Sequence, residues 1–292
     1  MNNLTANYER ILEVLRKISK DNLLSYQRRV PKLKDLELIS LALTAEFMSI
    51  DSENHLFRQI PKTIKCKIER SVYYPRNCRL ADNINDLRVK LSRSFNEFEK
   101  YFIIDSMPVE VCKLSRSGTS KICKDAEYCY PNRGFCASQQ MHFYGYKLHA
   151  VCSVNGIFHS IDLSPASVHD IHYLNDIREQ LSDCTLLGDK GYLSSEIQID
   201  LFNYANIELE TPKRINQKNY KPQFHLFKKQ RKRIETLFSQ LCDQFMIRRN
   251  YAKTFEGFKT RLLAKITALT VVQYINKTYF NRSINNLKVN II

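Results

Sequence analysis

The sequence predicts an α/β protein: a helical N-terminal domain, then a mixed sheet flanked by helices, then a basic helical tail. Three observations carry that expectation. Residues 1–98 show helical periodicity and no strand-like alternation. From residue 99, short apolar runs and one clear period-2 hairpin take over. The tail is set apart by charge: residues 211–292 carry 18 Lys and Arg against three acids, which is the whole of the net charge of +15. At 292 residues and 43% hydrophobic, the chain can bury a substantial core, which excludes wholesale disorder.

In order along the chain, Tyr8, Ile11, Leu12, Leu15 and Ile18 mark one helix face, and Leu36, Ile39, Leu43 and Phe47 mark a second. Ser25 to Pro31, with Arg28 and Arg29, reads as a basic loop, and Pro61 and Pro75 are expected to break later helices. Tyr101 to Asp105 reads as a short buried strand stopped by Pro108, and 112–141 as a long loop. The hairpin follows. Tyr146, Leu148, Ala150, Cys152 and Val154 alternate with polar residues, Asn155-Gly156 supplies the turn, and Ile157, His159, Ile161 and Leu163 return. Ile171, Leu174, Ile177 and Leu181 suggest a helix, Leu186 to Asp189 a strand, and Ser194 starts another helix. Strand, hairpin, helix, strand, helix is the skeleton of a ribonuclease-H-like domain. A late helix presents Ile234, Leu237, Phe238, Leu241 and Phe245, and 257–279 forms the last helix. Arg248, Arg249, Lys253, Lys259, Arg261 and Lys265 are expected to form an exposed basic flank. The implied domains are 1–98 (binding or dimerisation), 99–250 (catalytic) and 251–292, packed on the catalytic domain.

The basic block suits a polyanion, and its interleaved tyrosines and phenylalanines favour nucleic acid over an anionic membrane. Tyr73-Tyr74-Pro75-Arg76 with Arg79 forms a smaller aromatic–basic cluster of the same character. No apolar run reaches the roughly 18 residues that span a bilayer, and no signal peptide opens the chain. Nine cysteines without paired zinc-ligand spacing read as reduced thiols of a cytoplasmic protein.

Within this frame stand three acids in the order Asp105, Asp189, Glu235. The first two end apolar runs, and Glu235 is one of only three acids in the basic block. Each has an ordinary explanation. Asp105 and Asp189 are turn formers beside Ser106 and Lys190-Gly191, and Glu235 is an i,i+4 partner for Arg231 worth roughly half a kcal/mol. As a set they point to phosphodiester chemistry, in which two Mg²⁺ or Mn²⁺ ions about 4 Å apart activate one oxygen and stabilise another. In a ribonuclease-H-like sheet, Asp105 and Asp189 would meet at neighbouring parallel strand ends, with Glu235 brought over them by the late helix. Lys147 and His149 share a hairpin face and are candidate contacts to the cut strand, or plain solvent-facing residues. Lys190 and Arg231 are candidate phosphate contacts, as are Arg248 and Arg249 in the tail. His169-Asp170 flanks the site or caps the next helix, and Tyr192 stacks on a base or packs in the core.

The chain resembles the DDE transposases of bacterial insertion sequences, most closely the insertion-sequence-982 family. The resemblance rests on Ile104-Asp105-Ser106-Met107-Pro108, Tyr144-Gly145-Tyr146-Lys147-Leu148-His149, and Ser164-Pro165-Ala166-Ser167-Val168-His169-Asp170. It continues in Gly188-Asp189-Lys190-Gly191-Tyr192 and in Arg231 to Phe238. It implies a Mg²⁺-dependent transposase with Asp105, Asp189 and Glu235 as ligands. Double-stranded DNA would be the partner, as terminal inverted repeats and as target. Holding two DNA ends together implies a homodimer or larger, working at the nucleoid. The Tyr-Arg-Glu-Lys signature of a related subgroup is incomplete, since Lys228 stands at the Tyr position and Cys242 at the Lys position. The rival readings are a nuclease or resolvase of the same fold, a non-catalytic DNA-binding relic, and a zinc-stabilised binding module.

Overall fold

The computed structural model describes residues 3–26, 29–213, 222 and 224–292, so Arg28 of the expected basic loop lies outside the described residues. The chain divides into two compact units, one of residues 1–91 with 240–292 and one of residues 92–239.

The first unit opens on helices α1 (Leu4–Ile18), α2 (Asp35–Phe47), α3 (Glu53–Gln59), α4 (Lys62–Lys65), α5 (Arg70–Arg79) and α6 (Ala81–Asn96). Asn3 caps α1 by accepting from the Ala6 amide at 3.3 Å. Tyr8, Ile11, Leu12 and Leu15 are buried as their spacing requires, and α2 is buried almost all round. Pro75 does not break its helix but sits inside α5. It forfeits one backbone hydrogen bond, which the burial of Tyr73 and Arg76 on either side offsets. Arg76 is only 4% exposed and donates to Asp35 at 2.7 Å, and Tyr73 is buried as well, so these two residues of the cluster belong to the core rather than to a nucleic-acid surface.

The second unit is built on a six-stranded sheet. Its strands are β1 (Tyr101–Cys112), β2 (Asn132–Cys136), β3 (Met141–Ser153), β4 (Phe158–Pro165), β5 (Cys184–Leu187) and β6 (Ile207–Glu210), in the order β2-β3-β1-β5-β6 with β4 also on β3. β1 pairs antiparallel with β3, Asp105 opposite Ala150, and parallel with β5, Ile103 opposite Leu187. The hairpin turns at Asn155-Gly156, where Gly156 has φ of +88°. This is the strand order expected for a ribonuclease-H-like sheet. Two short helices, α7 (Leu174–Ile177) and α8 (Ser195–Ala205), cover one face. Phe102, Ile104, Val151, Leu186 and Leu201 pack together there. Helix α9 (His225–Asp243) follows, and α10 (Phe255–Thr278) returns to the first unit.

Three features depart from expectation. β1 runs on through Pro108 because β5 leaves its edge after Ile103, so the missing N–H faces no partner strand there. β2 lies inside the segment read as a loop, and β6 extends the parallel half of the sheet. In the segment 251–292, α10 packs against α1, α2 and α5. Its Lys265 is 1% exposed and Arg261 half-buried, both bound to Glu46, so these two leave the predicted basic flank.

Gly145 marks the irregularity where Glu110 and Cys112 shift register on β3. A Cβ there would lie 2.3 Å from the Val109 carbonyl oxygen, against rigid backbone. Gly145→Ala is expected to destabilise the sheet by about 1–3 kcal/mol, read as a lower midpoint in urea unfolding. An unchanged midpoint would show that the strands separate there at little cost.

Candidate active site

Asp105 and Asp189 each stand two residues past Ile103↔Leu187, the last rung of the parallel β1–β5 pair, Asp105 still within β1 and Asp189 just beyond β5. Asp189 takes the ordinary turn role, whereas Asp105 stands inside β1 and shapes no turn. Asp105 Oδ1 accepts from the Ser106 amide at 2.8 Å, and Asp189 Oδ1 accepts from the Gly191 amide at 2.7 Å, capping a 3₁₀ turn. Neither bond uses Oδ2. Among the described residues, Oδ2 of each acid takes no hydrogen bond.

The electrostatics set these acids apart from turn formers. Burial pushes the Asp105 carboxyl up to about 7, and the charges of Asp189 and Asp170 add to it. The Ser106 amide and the Arg231 guanidinium pull the other way without cancelling the effect. Carboxylates that raise one another's titration are relieved by a positive charge, and a hard divalent cation with oxygen ligands is a group that fits. The fit extends to two acids. Glu235 is exposed on α9, and no group of three metal-binding side chains forms among the described residues.

Helix α9 nonetheless comes near the pair. Arg231 is close enough to stabilise the Asp105 carboxylate, and Arg233 acts in the same way on the thiol of Cys152, which burial raises. Arg231 and Glu235 form no ion pair among the described residues, so the simple i,i+4 role does not account for Glu235.

Raised titration has a consequence for stability. A folded-state pKa above the unfolded value means that the folded chain holds its proton longer, so stability falls as pH rises from about 4 through about 7. Asp105→Asn is therefore expected to stabilise the protein at pH 8 by at most about 4 kcal/mol, with the difference vanishing below about pH 4. Denaturation midpoints of both forms across that range test it, and a destabilised variant at pH 8 would contradict the assignment.

Lys147 and His149 correct the sequence reading. Ala150 lies opposite Asp105, so by strand alternation Lys147 and His149 point to the other face of the sheet. His149 is 1% exposed, stands 2.7 Å (Nε2) from Ser164 Oγ and packs beside Tyr173. Burial lowers its pKa and favours the neutral ring. Lys147 donates to the Val168 carbonyl and to Asp170, both at 2.9 Å. A buried imidazole and an engaged ammonium are not surface contacts for a DNA strand. His169 caps, accepting through Nδ1 from the Ile171 amide at 3.3 Å, and Tyr192 is fully buried in the core. Lys190, Arg248 and Arg249 are exposed. Asp170 is the acid whose influence on Asp105 the sequence reading left undecided; only the fold shows that the turn after β4 brings it near. All nine thiols are free.

The strand order of this sheet, with Asp105 and Asp189 just past the last rung of its parallel pair, is that of a ribonuclease-H-like fold. A family model described as "Transposase DDE domain" matches residues 96–271, more than half of the chain, and the chain belongs to that family. No curated protein matches the sequence. Among the described residues no helix is long and apolar enough to cross a membrane.

Proposed function

We propose that the chain is the transposase of a bacterial insertion sequence. It binds the terminal inverted repeats, hydrolyses a phosphodiester at each element end to free a 3′-hydroxyl, and directs that hydroxyl onto target DNA. The observation that carries this reading is the meeting of Asp105 and Asp189 at one end of the sheet, with Asp105 raised to about 7. The motif set around Asp105, Tyr144–His149, Asp189 and Arg231–Phe238 supports the insertion-sequence-982 branch.

Asp105 and Asp189 would hold the divalent ions, two Mg²⁺ or Mn²⁺, through the oxygens that the Ser106 and Gly191 amides leave unused. Bound there, the ions supply activation of the attacking oxygen and charge stabilisation of the leaving one. Asp105 must give up its proton to take part, which occurs at neutral pH. Glu235 completes the set once DNA lies along α9; Arg231, one turn earlier on that helix, already reaches Asp105 electrostatically. Arg231 and Lys190 steady the phosphates beside the cut, and exposed Arg248 and Arg249 hold the duplex without reading its sequence. Two ends require at least a dimer on DNA, at the nucleoid.

The test is a labelled duplex of the host element's own end, mixed with a supercoiled target plasmid and Mg²⁺. Label joined covalently to the plasmid supports the transposase. Nicked ends that never join would instead make the chain a nuclease of the same fold.

A further inference from the structure

The first unit contains a cavity of about 450 Å³, built entirely from that unit and separate from the acid pair. Small residues open it, Ala42 and Ala45 of α2 and Ala264 of α10, while Tyr73, Tyr74 and Tyr251 line its walls. The Tyr74 hydroxyl is fixed 2.7 Å from Thr254 Oγ1, whereas Tyr251 is 61% exposed and stands free to close over an occupant.

Charge narrows the choice of occupant. The lining cations Arg70, Lys253 and Arg261 are matched in number by Glu46, Asp51 and Glu53, and Arg261 is bound to Glu46. A site so balanced gives no net attraction to a free anion or cation and suits a neutral planar group. Asn77, 9% exposed, lines the cavity with its Oδ1 buried and, among the described residues, without a hydrogen-bond partner. Such an acceptor is costly unless something satisfies it, and an exocyclic amine of a ligand does so. Arg70 and Lys253 are exposed, which suits them to phosphates that flank the occupant.

We propose that this cavity takes an extrahelical nucleobase from the DNA that the chain binds. The inference rests on the transposase reading and adds to it a second DNA-reading site outside the catalytic unit. Tyr74 and Tyr251 provide stacking surfaces, Asn77 meets the base edge, and the volume accommodates a base with its sugar.

The test uses the full chain and duplexes of the element's own end, substituted one position at a time with 2-aminopurine. Binding is expected to change emission at one position. Removing the base there (an abasic duplex) should weaken wild-type binding about ten-fold, the scale of one lost stacked base, and should not weaken Tyr251→Ala further. Tyr251 is exposed, so that variant is expected to keep the fold. A wild-type chain that binds and cuts the duplex with no emission change at any position overturns the pocket and leaves the transposase reading standing. Unchanged DNA affinity in Tyr251→Ala with weakened self-association would give the cavity to a side chain of a second copy and overturn it too. A wild-type chain that neither binds nor cuts its element end overturns both.

Discussion

Asp189→Asn is expected to abolish strand cleavage at the element end, by roughly 10²–10³-fold or more, the scale of losing one preorganised electrostatic contact, with duplex affinity unchanged. The substitution keeps an oxygen able to accept from the Gly191 amide, so the 3₁₀ turn at Lys190–Tyr192 survives. Only the negative charge is lost. With it goes part of the repulsion that raises Asp105, whose carboxyl should then titrate lower. A variant that binds, folds and does not cut separates catalysis from structure. Glu235→Gln should behave in the same way, and because Glu235 is exposed its melting should match the parent. Cleavage of a labelled duplex by both variants decides the matter. Full activity in Asp189→Asn would leave the acid as a turn former.

Glu46→Ala is expected to cost the first unit about 3–5 kcal/mol, because it leaves two cations buried without their partner. Glu46 accepts from Arg261 Nε at 2.9 Å and Nη2 at 3.3 Å, and it also takes the ammonium of Lys265. Arg261 further donates to the Asp51 carbonyl at 2.8 Å, and Lys265 to that of Phe245 at 2.7 Å, so the cluster ties α2 to α10 and its flanking turns. Burial already lowers the Lys265 pKa, so the variant is expected to shed that proton first. Lys265→Met should be milder, since Glu46 keeps Arg261 as its partner and no charge is left buried alone. Urea unfolding of the two variants gives the comparison, and equal costs would mean that the cluster acts through packing alone.

Much of the catalytic unit was legible in its residues. Asp105 and Asp189 end short apolar runs, which marked both strands, though β1 runs on past Asp105, and Asn155-Gly156 between alternating segments allowed little but a hairpin. Periodicity says which residues share a face but not what covers it. Lys147 and His149 do lie together, yet the turn at Asp170–Tyr173 and β4 close over them, so their chemistry is internal. Helix α10 failed in the same way. Its basic positions looked exposed, but the helix is surrounded, and the carboxylate that neutralises two of them lies more than 200 residues earlier in the chain. β2, with Gly134 and Cys136 in five residues, carries no strand pattern of its own and exists through pairing with β3. Glu235 was assigned by its charge setting and by family likeness; its place on α9 follows from helical periodicity, but its approach to the other acids depends on what binds.

The account turns on whether these acids form one metal centre on DNA. The direct measurement is anomalous scattering from manganese in crystals of the chain bound to its element end. The expected result is manganese between Asp105 and Asp189, with the Glu235 carboxylate drawn into its coordination. Manganese bound elsewhere, with Asp105 and Asp189 still engaged only with the Ser106 and Gly191 amides, would contradict it.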